Sequence, residues 1–259
     1  MLDIGIFGAT GRVGRLLINE ILSHKRCRLA SVFVRNELHY DIPSSTLVTS
    51  HRPSFMESSR VIIDFSSPEA TQLLLEDALD SPRPPALVVG TTGLNDMQKD
   101  LLQRVSEKTP ILYASNMSFG ITVLERLVAL LSRELREADL EITEIHHKHK
   151  KDAPSGTALT LASSALKARG LGEDCLRFGR DGVAPRSKDE IGVLSLRGGD
   201  VVGRHTVGFY SDGEYLELSH TATSRLTFAR GALRAALWVS DKKSGLYGMR
   251  DMFSMENLG

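Results

Sequence analysis

Cysteine, net charge and long apolar runs are all scarce in this chain, and each shortage excludes a class of protein. Only Cys27 and Cys175 occur among 259 residues, too few for a disulfide framework, so a reducing compartment is expected. Lys plus Arg and Asp plus Glu both number 32, which leaves no chain-wide bias toward nucleic acid or acidic membranes. Any basic site must therefore be local. No apolar run approaches the roughly 20 residues of a membrane-spanning helix. The opening MLDIGIFGATGRVG has no basic stretch leading into an apolar one, so no signal peptide is expected and a cytosolic location is. No internal repeat or low-complexity tract is evident. What remains is ordinary for a globular protein, at 41% hydrophobic and 25% charged residues.

The first half alternates short apolar runs with helical periodicity. Leu2 to Phe7 stops at Gly8, and Val13, Leu16, Leu17 and Ile21 then recur at helical spacing. Strand candidates follow at Leu29 to Val34, Val61 to Phe65, Ala86 to Val89 and Ile111 to Ala114. Helices are expected from Pro68, with Glu69 in the first turn, and from Leu94 to Glu107. Continuous apolar strands separated by helices read as a parallel sheet covered on both faces, an α/β doubly wound domain over residues 1–117. The pattern then changes. Ile121, Leu124, Val128, Leu131 and Leu135 mark a long amphipathic helix, Asp139 to His147 alternates like a strand, and Leu159 to Ala168 is helical. IGVLSLR, VVGRHTVGFY and EYLELSHTAT follow without intervening helices, which predicts a second α+β domain over 118–225 built on a mixed, largely antiparallel sheet. Leu226, Ala229, Leu233 and Leu237 return to helical spacing in a C-terminal segment, 226–259, expected to pack back on the first domain.

GATGRVG, Gly8 to Gly14, lies where the first strand meets the first helix. Gly8 permits the turn, Gly11 lets the backbone approach a pyrophosphate, and Gly14 lets helix and sheet pack closely, a Rossmann-like dinucleotide fingerprint. The helix N-terminus adds free N–H groups for that pyrophosphate. An NAD-preferring site places an acid at the end of the second strand. This chain has Phe33-Val34-Arg35-Asn36 there, with Arg12 inside the glycine loop. Two guanidiniums and no carboxylate suit a 2′-phosphate, so NADPH is the expected cofactor with NADH also usable. The alternative is a solvated Arg35, with Glu37 supplying the acid.

The densest chemistry is EIHHKHKKDAPSGTA, Glu144 to Ala158. A zinc site is disfavoured because adjacent histidines on a strand point to opposite faces, and neither Cys-x-x-Cys nor His-Glu-x-x-His completes one. Aromatic side chains for base stacking are not interleaved with the basic residues, which argues against nucleic acid. A solvated charge run is the bland alternative. Against it, Pro154-Ser155-Gly156-Thr157 opens a helix whose N–H groups and hydroxyls make an anion site, with Lys150 just before it. Imidazoles beside an anion site suit proton transfer near neutral pH.

These residues make the chain resemble the 4-hydroxy-tetrahydrodipicolinate (dihydrodipicolinate) reductase family of lysine and diaminopimelate biosynthesis. The resemblance runs through GATGRVG, VGTTG (Val89 to Gly93), ASNMSFG (Ala114 to Gly120), RGGDVVGRHTV, SRLTFARGALRAALW and SGLYGMRDMF, and is most specific in His-His-x-x-Lys-x-Asp-Ala-Pro-Ser-Gly-Thr-Ala. It implies NAD(P)H-dependent reduction of a cyclic unsaturated dicarboxylate to tetrahydrodipicolinate. It makes His146 the proton donor, Lys150 a second acid or electrostatic stabiliser, and His147, Ser155, Gly156, Thr157 and Arg225 the substrate contacts. It places Gly90, Thr91 and Thr92 beside the cofactor and Ala114, Ser115, Asn116 and Met117 near the nicotinamide. These join Gly8, Ala9, Thr10, Gly11, Arg12, Val13 and Arg35, read from the glycine loop and the end of the second strand, as the expected cofactor contacts. It implies a homotetramer formed through the second domain's sheet, and the missing ligand spacing leaves no metal expected. Members that use NADH well carry an acid at the position of Val34, and the position of Met117 is often Phe. Two rivals remain: a non-catalytic nucleotide sensor, for which a poised acid would be superfluous, and a homoserine- or aspartate-semialdehyde-type dehydrogenase. An aspartate-semialdehyde enzyme would need a catalytic cysteine, and neither cysteine sits in a convincing site.

Overall fold

The computed structural model describes residues 1–35, 38 and 41–253. It divides into two compact units, residues 1–117 with the chain from Arg225 onward, and residues 118–224. The first unit begins β1 (Leu2–Phe7), α1 (Arg12–Leu22), β2 (Cys27–Phe33), β3 (Leu47–Thr49), α2 (Arg52–Glu57), β4 (Val61–Asp64) and α3 (Pro68–Asp80). It continues with β5 (Ala86–Val89), α4 (Asp96–Ser106) and β6 (Pro110–Tyr113). The second unit runs α5 (Phe119–Glu134), β7 (Asp139–His146), α6 (Gly156–Arg169), β8 (Leu176–Arg177), β9 (Ile191–Arg197), β10 (Gly203–Ser211) and β11 (Glu214–Ala222). The chain then returns to the first unit with α7 (Leu226–Val239) and β12 (Gly245–Tyr247).

In the first unit seven parallel strands are ordered β12-β6-β5-β4-β1-β2-β3. Every residue of β4 (VIID) and β5 (ALVV) is buried, as central strands covered on both faces require. The chain builds outward from β1 through β2 and β3, then recrosses to β4 on the other side. The gap between the C-terminal ends of β1 and β4 is therefore the switch point at which open α/β sheets bind ligands. Two helices begin there. Gly11 precedes α1, and Ser67 caps α3 by accepting from the Ala70 N–H, with Pro68 in the first turn.

The second unit is a mixed sheet, β11-β10-β7-β9-β8. β10 pairs antiparallel with β7 and β11, whereas β9 runs parallel to β7 and β8. The sheet is mixed, as expected, and its β7–β9 pair is parallel because α6 carries the chain across before β9 is laid down. Leu140, Ile142, Glu144 and His146 share one face of β7 by the two-residue period of a strand. Leu140 and Ile142 lie in a core with Ile121, Leu124, Val128, Ala158, Leu161 and Ala165 of α5 and α6. Farther along the same face, Glu144 and His146 reach the end of the sheet at which α6 begins.

The expected strands and helices from Leu2 to Leu237 are present with ends shifted by a few residues. β3, α2, β8 and β12 were not expected. They are short, and such pieces hold only a turn or two of pattern for a sequence reading to detect.

Candidate active site

A cavity of about 260 Å³ opens at the switch point of the first unit, lined by Gly8, Thr10, Gly11, Val34, Arg35, Phe65, Ser66 and Ser67 among others. Gly8 has φ +88°, in the left-handed region that favours glycine, and a Cβ there would lie 2.5 Å from the Phe65 carbonyl oxygen. Phe65 was not singled out from sequence. Its carbonyl seats the glycine loop and its ring fills the space beside Gly90, where a Cβ would meet the ring at 2.5 Å. Below this turn Asp64 accepts from the Ser66 N–H at 2.9 Å and from Thr71 Oγ1. Burial pushes the Asp64 carboxyl above its usual range. Thr91 is buried and its hydroxyl also accepts from Ser66 N–H, at 3.1 Å, whereas Thr92 is exposed.

Other predicted cofactor residues are distributed around this frame. Thr10, Arg12, Arg35 and Ser115 are exposed, Val13, Ala114 and Asn116 are half-buried, and Ala9 and Met117 are buried. Arg225 belongs to this unit, not to the histidine-bearing one. Burial and the neighbouring charge of Arg12 both hold its guanidinium below the usual arginine range, so the two cations sit within reach of each other. Glu37, the alternative acid, lies outside the described residues.

The signature stretch in the second unit is organised by a buried carboxylate. Glu144 Oε2 accepts from His146 Nδ1 at 2.6 Å and from Arg197 Nη1 at 2.8 Å. Its Oε1 accepts from Arg197 Nη2 at 2.9 Å and from the Ser155 N–H at 3.1 Å. Burial pushes the Glu144 carboxyl up, but hydrogen bonds from Arg197, His146 and Ser195 outweigh it and hold the group at about 2. Burial lowers His146 below the ordinary histidine range, opposed by Glu144.

Ser155, 2% exposed, caps α6 by accepting from the Ala158 N–H at 3.2 Å, and its hydroxyl also bonds His205 Nε2 at 3.0 Å. Its N–H and its hydroxyl are thus both engaged within the protein. The exposed residue of the turn is Gly156, with Thr157 half-buried beside it. His205 packs edge-on against His146, ring centroids 5.2 Å apart, and burial drives its pKa down to about 4. Gly203 gives the His146 ring its room, since a Cβ there would stand 2.9 Å from Nε2. Lys150 pairs with Asp152 at 2.9 Å, and the rings of His147 and His149 lie 6.2 Å apart.

The unit thus brings together His146, Ser155 and the start of α6, and adds Glu144, Arg197 and His205, which sequence reading passed over. Glu144 was legible in principle: a strand period puts it on the His146 face. Arg197 and His205 reach the site only through strand pairing, His146 opposite Arg197 and Glu144 opposite His205. Among the described residues no cluster of three or more His, Cys, Asp or Glu side chains could hold a metal ion.

A parallel dinucleotide-type unit joined to a mixed-sheet unit carrying a carboxylate-bound histidine defines a two-unit nicotinamide-dependent oxidoreductase. Residues 2–117 match the family model for the dihydrodipicolinate reductase N-terminus, and residues 120–253 that for its C-terminus. A 4-hydroxy-tetrahydrodipicolinate reductase of Helicobacter hepaticus is 60% identical over 253 residues, covering 97% of this chain and 98% of that one. That of Sulfurimonas denitrificans is 55% identical with the same coverage. A dipicolinate-bound dihydrodipicolinate reductase from Paenisporosarcina sp. TG-14 shares the fold, with a TM-score of 0.80 at 22% identity over 98% of this chain and 100% of that chain. The chain belongs to the dihydrodipicolinate reductase family.

Proposed function

We propose that this chain reduces 4-hydroxy-tetrahydrodipicolinate, through its dehydrated ring, to tetrahydrodipicolinate for lysine and diaminopimelate biosynthesis. The observation that supports the proton-transfer half is the His146–Glu144 pair at the start of α6. With Nδ1 committed to Glu144, Nε2 is the ring nitrogen that gives the proton. Lys150 supplies a second positive charge, and His147, Gly156 and Thr157 take a substrate carboxylate at the positive end of α6. Ser155 acts in that site by fixing the helix start, its own hydroxyl being held by His205 and the helix. Arg225 adds a guanidinium for the substrate, and Arg12 one for the pyrophosphate.

The first unit fits a nicotinamide dinucleotide: a glycine turn that a side chain would obstruct and two helix starts border one cavity. When bound in its reduced form, that cofactor supplies the hydride. Gly8, Ala9, Thr10, Gly11, Arg12 and Val13 hold its phosphates, Gly90, Thr91 and Thr92 flank it, and Ala114 to Met117 border the nicotinamide. NADPH is the preferred form, supported by the cavity wall, in which Arg35 is the charged residue and neither Asp nor Glu takes part among the described residues. Arg35→Ala is expected to weaken NADPH binding by about 10-fold or more, the scale of one charge-assisted hydrogen bond of about 1.5–3 kcal/mol, with NADH binding nearly unchanged. Fluorescence titration with both nucleotides checks this, and equal losses would rule out 2′-phosphate recognition.

Assembly as a homotetramer through the second unit's sheet is supported by Leu196, Tyr215 and Leu216, all exposed on its strands. A cytoplasmic site of action is supported by the two free cysteines. No helix among the described residues is long and apolar enough to cross a membrane. The activity is tested by nicotinamide absorbance with enzymatically generated substrate, NADPH and NADH in parallel. Absence of oxidation with both would overturn the reading.

A further inference from the structure

One buried carboxylate touches both chemical parts of the second unit. The Glu144 side chain is fully buried, His146 is 11% exposed and Arg197 is 21% exposed. An ionised carboxylate is costly in such a place unless donors surround it. Donors do so: the imidazole, the two arms of one guanidinium, the Ser155 N–H and Ser195. They divide by oxygen, with the imidazole on Oε2 and the α6 start on Oε1. We propose that Glu144 is a positioning residue for the reduction: it keeps the proton of neutral His146 on Nδ1, so that Nε2 alone exchanges a proton with substrate, and it holds the α6 carboxylate site in register with that nitrogen.

This rests on His146 as proton donor and adds what sets its state. In the donating form both ring nitrogens carry protons. Breaking the Nε2–H bond delivers that proton to the substrate and leaves the Nδ1–H tautomer still bonded to Glu144. Solvent then reprotonates Nε2. Arg197 keeps Glu144 an acceptor throughout, because a carboxylate paired to a guanidinium on both oxygens resists taking the proton itself.

The charges around His146 give the inference its direction. Glu144 on β7 is the negative group facing the ring. Lys150 on the following loop and Arg197 on β9 are cationic and disfavour the imidazolium. His205 on β10 is held neutral by burial over the working range. Removing the Glu144 charge therefore leaves His146 among cations, and its protonated form is lost at lower pH.

Glu144→Gln tests this in the full-length protein. A glutamine can turn its oxygen to only one side, so it cannot serve the imidazole, the guanidinium and the Ser155 N–H together. The alkaline limb of kcat/KM should move to lower pH and kcat should fall roughly 10- to 10²-fold, less than the full 10²–10⁴ a general acid supplies because His146 itself remains. The KM for substrate should rise and the NADPH dissociation constant stay put. Glu144→Asp, which keeps the charge, should return the limb toward its wild-type position. A merely structural residue would not move the limb, so an unmoved limb with kcat within about 2-fold of wild type overturns the proposal. Should the variants fail to fold, 15N chemical shifts of His146 in the wild-type protein decide it. Neutral His146 must carry its proton on Nδ1, and a proton on Nε2 refutes the inference whatever the activity. Survival of turnover in His146→Ala would instead overturn the proton-donor reading, so the two failures are distinguishable.

Discussion

Replacing His146 with alanine should lower kcat by about 10²–10⁴-fold, the contribution of a positioned general acid, while NADPH affinity stays nearly unchanged. The expectation follows from where the ring sits. His146 ends β7, its Nδ1 bonded to a fully buried carboxylate and its other face against His205. Alanine removes the ring and leaves Glu144 paired to Arg197, so the fold loses one of several contacts and the chemistry loses its proton source. The cofactor contacts assigned above all lie in the other unit, which is why its affinity should not follow. The pH dependence carries a sign as well. A donor must be protonated, so kcat/KM should fall as pH rises through the His146 pKa. Burial lowers that pKa, so the free-enzyme limb should lie below the ordinary histidine value of 6.5. Single-turnover measurement of the hydride step across pH checks both parts. Wild-type turnover in the alanine variant would sink the proton-donor role.

The second large effect is expected on stability. Gly231→Ala should destabilise the protein by about 1–3 kcal/mol, although helix propensity alone favours alanine by about 1 kcal/mol. Gly231 lies inside α7 and is buried among Ala229, Ala232, Ala235 and Ala236. A Cβ there would overlap the carbonyl oxygen of Met117, and a backbone atom cannot rotate aside as a side-chain tip can. Either α7 shifts or the 114–117 segment does. Because that segment is assigned to the nicotinamide, NADPH affinity should fall together with the unfolding temperature. Thermal unfolding and a nucleotide titration on one preparation test the pair. The sign is decisive, since a stabilised variant would mean that propensity governs and the close approach is relieved without cost.

Much of the first unit was legible because its signals are local. A strand running into a glycine turn and then a helix is written in consecutive residues, as are the Pro68 helix start and the apolar runs of β4 and β5. The short elements β3, α2, β8 and β12 were not, because two to six residues hold too little periodicity to separate from a loop. Which pair of the mixed sheet runs parallel was not legible for another reason. Strand order and direction depend on which apolar faces pack, and strands in sequence without helices between them do not fix either.

The sequence by itself determined the family and the kinds of chemistry present: histidines, a lysine and a helix start in one stretch, and a glycine loop with an arginine where an acid would select NAD. Those are contiguous motifs, and their spacing survives without knowledge of the fold. Only the tertiary structure decided which groups meet. Arg197 reaches Glu144 across 53 residues and His205 reaches Ser155 across 50. The strand register that makes both contacts is fixed by burying Leu140, Ile142, Val193 and Val207 on one face. A slip of one residue would send Glu144 to the opposite face and separate it from both partners. The same dependence on packing brought Arg225 into the field of Arg12, seated Phe65 between Gly8 and Gly90, and turned Ser155 into the cap that anchors α6.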